Sequence, residues 1–328
     1  GKHRHFELGI SDDKFVPGLR KLVDAIHNAG AKAGIQLGHG GGHTRVDVSG
    51  EAPSAPSAIP HVVQEGHTET IIPEQMSIER IAQTVRAFAD AAVRAQQAGF
   101  DMVEIHAAHG YLISQFLTPL ENQRDDHYGG SLENRARFGL EILQAIKAAV
   151  PQLAVIFRIN CQDYFDGGLS FHEARQVSVW AAEVGADAIH VSGGHYRSQP
   201  SAAIMIPPMA THETPFLDYA ARVRKEVDVP VITVGRMGRP DQAIAAIDSG
   251  HADFIALGRP LLADPEWVQK AESGKPVRLC LACNTCGDGM RDGNPLHCLV
   301  NPMAGRESQF SGRVPELQNK RIAVLGAG

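Results

Sequence analysis

The sequence has no apolar run approaching the ~18 residues that a membrane-spanning helix needs. It has no excess of positive charge either: 31 Lys and Arg stand against 37 Asp and Glu, a formal net charge of −6. Such a chain has no general electrostatic attraction to nucleic acid or to an anionic membrane, and neither partner is expected. No apolar segment follows Gly1-Lys2-His3-Arg4-His5, so no secretory signal is read and a cytoplasmic location is expected. Cysteine is scarce, five in 328 residues, too few for a disulfide scaffold. Only two tryptophans occur, and Trp180 and Trp267 are read as packing residues. What is present is an ordinary globular composition: 43% hydrophobic, 21% charged and 33 glycines.

Short apolar runs alternate with longer amphipathic segments. The runs are Ala33–Leu37, Met102–His106, Ala154–Asn160, Ala188–Ser192, Val231–Gly235 and Phe254–Gly258. The periodic segments between them repeatedly end in Gly and then resume as a strand, as in "AGFD", "VGAD" and "SGHAD". Gly is a helix stop signal, and short helix-to-strand loops with longer strand-to-helix loops imply parallel βα units. A doubly wound sheet of six strands is one reading. A (β/α)8 TIM barrel fits better, because chemistry-bearing residues cluster just after the strands, where barrel sites are built. They include Gln36, His106, His109, Tyr111, Arg158, His195, Gly235, Arg236, Gly258 and Arg259. In that reading the first two βα units, on the order of 60 residues, are absent from this sequence. The connection from Gly38 to about Met76 is long and proline-rich, and is read as a lid or hairpin over the site.

The remaining signals are chemical. Cys280, Cys283, Cys286 and Cys298 follow a C-x2-C-x2-C-x11-C spacing. Four soft thiolates suit a [4Fe–4S] cluster, with structural zinc as the other reading. Cys161 stands alone and is read as a small buried residue. Arg158 is a charge inside an apolar strand and needs a partner, Glu104 being one candidate. Gly235-Arg236 and Gly258-Arg259 follow the last two strands, where barrel loops commonly bind phosphate. Glu133, Arg135, Arg137 and Glu141 are read as a solvated helix face. The closing "KRIAVLGAG" has the strand-then-G-x-G opening of a dinucleotide-binding domain.

The segment "GFDMVEIHAAHGYLISQFLTPLENQRDDHYGGSLENRARF" (99–138) resembles the old yellow enzyme family of flavin reductases. "IQLGHGG" (35–41), "VGRMGRPDQA" (234–243) and "IALGRPLLADPEW" (255–267) also match, and together they span nearly all of the chain. The cysteine segment (280–307) resembles the iron–sulfur branch, which includes 2,4-dienoyl-CoA reductase and 2-enoate reductase. The resemblance implies three parts. Residues 1–272 form an FMN-binding barrel, 273–312 a [4Fe–4S] segment, and 313–328 the start of an FAD-binding domain. It implies electrons passing from NAD(P)H through FAD and the cluster to FMN, and then to a C=C conjugated to a carbonyl.

It also implies site roles. His106 and His109 hold the substrate carbonyl, although on spacing alone two structural histidines serve equally well. Tyr111 protonates the product carbon, with His195 a second acid. Gln36 and Arg158 contact the flavin ring, and Gly235, Arg236, Gly258 and Arg259 its phosphate. The substrate expected is an enoyl-CoA, an enoate or an enone. Amine dehydrogenation, or a non-catalytic electron-transfer module, stands as the alternative. A homo-oligomer is left open.

Overall fold

The computed structural model describes residues 7–62, 70–291 and 293–310, with Lys2, His5, Arg321 and Ala323 besides. Six strands form one sheet: β1 (Gly34–Leu37), β2 (Met102–Ala107), β3 (Ala154–Asn160), β4 (Ala188–Ser192), β5 (Val231–Val234) and β6 (Phe254–Ala256). Their order in the sheet is their order in the chain, and every pair is parallel. A doubly wound sheet reverses its strand order at a switch point; this one does not. It is the curled sheet of a (β/α) barrel, with six consecutive units on the page.

Helix α1 (Val16–Asn28) precedes β1. Helices α2 (Ile78–Ala98), α3 (Leu132–Ala149), α4 (Phe171–Val184), α5 (Leu217–Arg224) and α6 (Pro240–Asp248) connect the strands. Their boundaries have local causes. Ser77, Ser131 and Ser170 accept hydrogen bonds from first-turn amides, and Ser170 forms a reciprocal capping box with Glu173. Helices α2 and α4 stop at Gly99 and Gly185, whose φ of 95° and 114° only glycine adopts without strain.

Alternation along the strands separates two faces. Val103, Ile105, Val155, Phe157, Ile159, Ile189 and Val191 point outward and are buried against the helices, with Ile142, Leu143, Ile146 and Val177 among their neighbours in the main core. Each such side chain contributes about 1.5–3 kcal/mol on burial. The opposite, inner face carries Gln36, Glu104, His106, Arg158 and His190. The register sets Gln36 beside Glu104, and His106, Arg158 and His190 in one row.

The connection after β1 is a hairpin over the site, as its length predicts. Ser54–Ala55 pairs with Glu74–Gln75, and His61–Val62 pairs antiparallel with Thr70–Ile71. Arg124 Nη1 pins it by donating to the carbonyls of Pro56 and Met76, at 2.8 and 2.7 Å.

The cysteine segment docks on the barrel through Arg278 N to Asp264 Oδ2 (2.8 Å) and Asn301 Nδ2 to Leu262 O (2.8 Å). Most of 313–328, where the start of a dinucleotide-binding domain is expected, lies outside the described residues. No helix among the described residues is long and apolar enough to cross a membrane.

The α3 face departs from expectation at Arg135. It is buried rather than solvated, and donates to Leu117 O and to Glu173 Oε1 (2.6 Å), tying α3 to its neighbours. Trp267 packs as expected, with Nε1 on Gly238 O at 2.8 Å.

Candidate active site

The C-terminal end of β2 runs directly into the candidate chemistry. His106 is its penultimate residue, and the chain then turns sharply through His109 (φ 65°) and Gly110 (φ 82°) before the short helix Leu112–Leu117. The turn brings the rings together. The His106 and His109 centroids are 5.0 Å apart, as are those of His106 and Tyr111. His109 is held from both ends, its amide donating to Asn160 Oδ1 (3.1 Å) and its Nε2 lying 3.0 Å from Ser192 Oγ. Burial, with Arg158 nearby, lowers its pKa well below the usual 6.5, so this imidazole is neutral.

On the inner face, Glu104 is the hub. Its Oε2 lies 2.6 Å from His190 Nδ1, and its Oε1 accepts from Gln36 Nε2 (2.5 Å) and faces Arg158 Nη1 at 3.8 Å. Burial alone would raise the Glu104 pKa, but His190 and Arg158 outweigh it and hold the group at about 2. Arg158 Nε also donates to Ser192 Oγ (3.3 Å), so one hydroxyl links the arginine to His109. The interior salt bridge that Arg158 calls for therefore exists, in a network that also includes Gln36.

The two Gly-Arg loops approach each other. The nearest atom to a Cβ built on Gly238 is Pro260 Cγ at 4.0 Å, while Gly258 has open space around it. Arg236, at φ 44°, donates to Met209 O (3.1 Å) and Thr211 O. Arg259 donates to Asn284 Oδ1 (2.5 Å), and its pKa is lowered by burial and by Arg236, with the cysteine thiols opposing.

Arg259 also lines a pocket with all four clustered cysteines, beside Leu281, Asn284 and Leu299. Ala282 and Asn284 take positive φ (54° and 64°) and wind the loop around the thiols. Ala282 N and Thr285 Oγ1 donate to the sulfurs of Cys280 (3.4 Å) and Cys283 (3.3 Å). The shared pocket and the N–H and O–H donors to sulfur fit a cluster held by four thiolates.

His195 is fully buried, with Nε2 3.1 Å from Glu121 Oε2. Burial would lower its pKa, but Glu121 and Asp163 raise it. Its neighbour Tyr196 is the residue beside Tyr111, hydroxyl to hydroxyl at 3.4 Å. Sequence reasoning missed Tyr196, Glu104 as hub, His190 and Glu121. His190 and Glu104 carried a readable signal, polar residues at inward positions of otherwise apolar strands. Cys161 is buried as expected, its thiol pushed up to about 12 by burial.

Parallel βα units with a polar, imidazole-rich group at their C-terminal ends define a barrel enzyme. The chain belongs to the NADH:flavin oxidoreductase / NADH oxidase family, whose model matches residues 1–278. It is 38% identical to an NADH oxidase of Thermoanaerobacter brockii over 334 residues, all of this chain and 50% of the relative. It is 37% identical to a cinnamate reductase of Clostridium sporogenes over 339 residues, 97% of this chain and 50% of the relative. A solved complex of 2-naphthoyl-CoA reductase with 2-naphthoyl-CoA superposes with a TM-score of 0.86 at 30% identity, covering 94% of this chain and 48% of that one. The chain thus spans about half the length of the curated relatives it matches. Family membership implies FMN for the barrel.

Proposed function

We propose that the chain is the barrel and cluster portion of an ene-reductase acting on a C=C conjugated to a carbonyl, in an enoyl-CoA thioester, an enoate or an enone. Electrons would come from NAD(P)H through FAD and a [4Fe–4S] cluster. The observation that carries the reading is the His106–His109–Tyr111 group at the end of β2, with the His106 ring in contact with both of the others. When bound, FMN supplies hydride chemistry and the cluster relays single electrons.

The chain's own residues do the rest. His106 and His109 donate N–H groups to the acceptor carbonyl, polarising the double bond and stabilising enolate charge. His109 suits this because its imidazole is neutral and is aligned by Asn160 and Ser192. Tyr111 gives a proton to the α-carbon, with Tyr196 positioned to hydrogen-bond its hydroxyl. Gln36 and Arg158 face the flavin ring. Gly235, Arg236, Gly258 and Arg259 hold its phosphate. Cys280, Cys283, Cys286 and Cys298 hold the cluster. His195 serves in this reading by holding Glu121.

The test separates the two half-reactions of the full-length protein. Tyr111→Phe should slow flavin reoxidation by a cinnamate or enoyl-CoA substrate about 10²-fold or more, and leave flavin reduction by NAD(P)H intact. Equal loss in both half-reactions would overturn the role of Tyr111. No reoxidation of wild-type reduced flavin by any enoate, enone or enoyl-CoA would overturn the function.

A further inference from the structure

We propose that His43, His61 and Glu121 form a binding site for a divalent transition-metal cation of the zinc type, separate from the cysteine cluster and independent of the ene-reductase reading. His43 lies in the turn Gly41–His43, His61 on the hairpin strand His61–Val62, and Glu121 in the loop that follows the helix Leu112–Leu117. Three chain segments far apart in sequence thus bring two imidazoles and a carboxylate to one point. One ligand atom from each lies within 4.8 Å of the other two, and among the described residues this is the one such group.

The contacts inside the group are poor as hydrogen bonds, and the His61–Glu121 pair stands near a ligand spacing. His61 Nδ1 is 3.6 Å from Glu121 Oε1, and makes no hydrogen bond among the described residues although its side chain is 1% exposed. His43 Nε2 is buried and likewise makes no hydrogen bond. The two rings meet edge to face at 4.9 Å. A buried polar nitrogen left without a partner is costly, and two beside the same carboxylate call for a shared occupant. Ligands ~2.0–2.1 Å from a tetrahedral zinc stand about 3.3 Å apart, close to the 3.6 Å observed. Two neutral imidazoles and one carboxylate are a donor set that zinc favours, with a fourth position left for water or substrate.

Two further side chains flank the carboxylate, of which only Arg197 hydrogen-bonds it. His195 Nε2 lies 3.1 Å from Glu121 Oε2 and Arg197 Nη1 3.4 Å from Oε1. Ligating carboxylates are commonly oriented this way. Arg197 opposes a cation electrostatically, but its 3.4 Å contact is long and leaves the carboxylate charge incompletely used. The site borders the reaction centre: the His43 ring is 5.6 Å from that of Tyr196, which touches Tyr111.

The test uses the full-length flavin- and cluster-loaded protein, equilibrated with zinc sulfate and then freed of excess. One extra equivalent of zinc should be retained, with iron content unchanged. Its zinc-edge X-ray absorption should show nitrogen and oxygen neighbours at ~2.0–2.1 Å and no sulfur at ~2.3 Å. Glu121→Gln and, separately, His43→Gln should lose that equivalent while keeping flavin and iron, which reports folding. If Glu121→Gln fails to fold, His43→Gln carries the test, because His43 is the least buried of the three. No retained zinc, sulfur in the coordination sphere, or equal zinc in wild type and folded variant would each overturn the site.

Discussion

Glu104 shows how one side chain can set a site. It sits in "MVEIHA", where its neighbours Val103 and Ile105 face the helix-covered core. Alternation therefore turns it inward, onto the same face as Arg158 and His190. Its two oxygens contact three groups, and Arg158 in turn reaches Ser192 and, through it, His109. Removing one member of a buried ion pair leaves the other uncompensated, at a cost of about 3–5 kcal/mol. Glu104→Gln keeps the shape and loses the charge. It should lower unfolding stability by about 3 kcal/mol, the low end because Arg158 keeps its bond to Ser192. Denaturant midpoints at constant m-value read this directly, and a loss below ~1 kcal/mol would mean that Arg158 is neutralised by another route.

Strand ends and the strand-to-helix loops after them hold the reacting residues, and Asp163 is the post that ties two of these loops together. Its carboxylate is fully buried and accepts from Thr118 Oγ1 (2.7 Å), Asn160 Nδ2 (2.8 Å) and Leu169 N (2.8 Å). Asn160 in turn receives the amide of His109. Asp163→Ala would strand two buried donors, Asn160 Nδ2 and Leu169 N, at about 1–3 kcal/mol each, so a loss of at least ~2 kcal/mol is expected, while Thr118 keeps its bond to Ser114 O. Binding of a phenolic or carbonyl ligand should weaken with it, because His109 loses its alignment. Unchanged ligand affinity in a folded Asp163→Ala protein would show that Asn160 holds His109 unaided.

The same loops mark where sequence reading ends. Strand and helix spans are legible because their causes are local: alternation, serine caps, and glycine at positive φ. Strands Ala154–Asn160 and Ala188–Ser192, and helices Ile78–Ala98 and Phe171–Val184, fall where the pattern puts them. The His106, His109 and Tyr111 group is legible because one short stretch carries all three. Glu121 is not, although it lies in the same quoted stretch. Its partners His43, His61 and His195 come from three other segments, and only the packed loops bring them together. Arg135 fails for a related reason, since nothing local reveals that its face of α3 is covered.

At the scale of the whole molecule, the buried histidines and carboxylates make a common statement about acid. His43 is held down at about 3 by burial and by His61, and His109 well below its usual value by burial and Arg158. In the unfolded chain both titrate near 6.5. Below that pH the unfolded state binds protons that the native state refuses, so stability is intact above ~6.5 and falls as pH drops. Each such histidine contributes a slope of about 1.4 kcal/mol per pH unit. Glu104 and Glu121, both held at about 2, act in the same direction lower down: their stabilisation is complete above ~4.5 and is lost as pH falls toward 2. His195 runs the other way. Its raised pKa gives a contribution that is complete below 6.5 and is lost as pH rises through the folded value, so it adds nothing to the slope below 6.5. A cation on His43 and His61 would steepen the fall, because its ligands must be deprotonated. Unfolding free energy should therefore begin to drop near pH 6.5, about two units above the range where surface carboxylates alone would act, and drop faster below 4.5. Urea melts from pH 8 to 4 test this, and a flat profile down to pH 5 would mean that these imidazoles take up protons without unfolding the barrel.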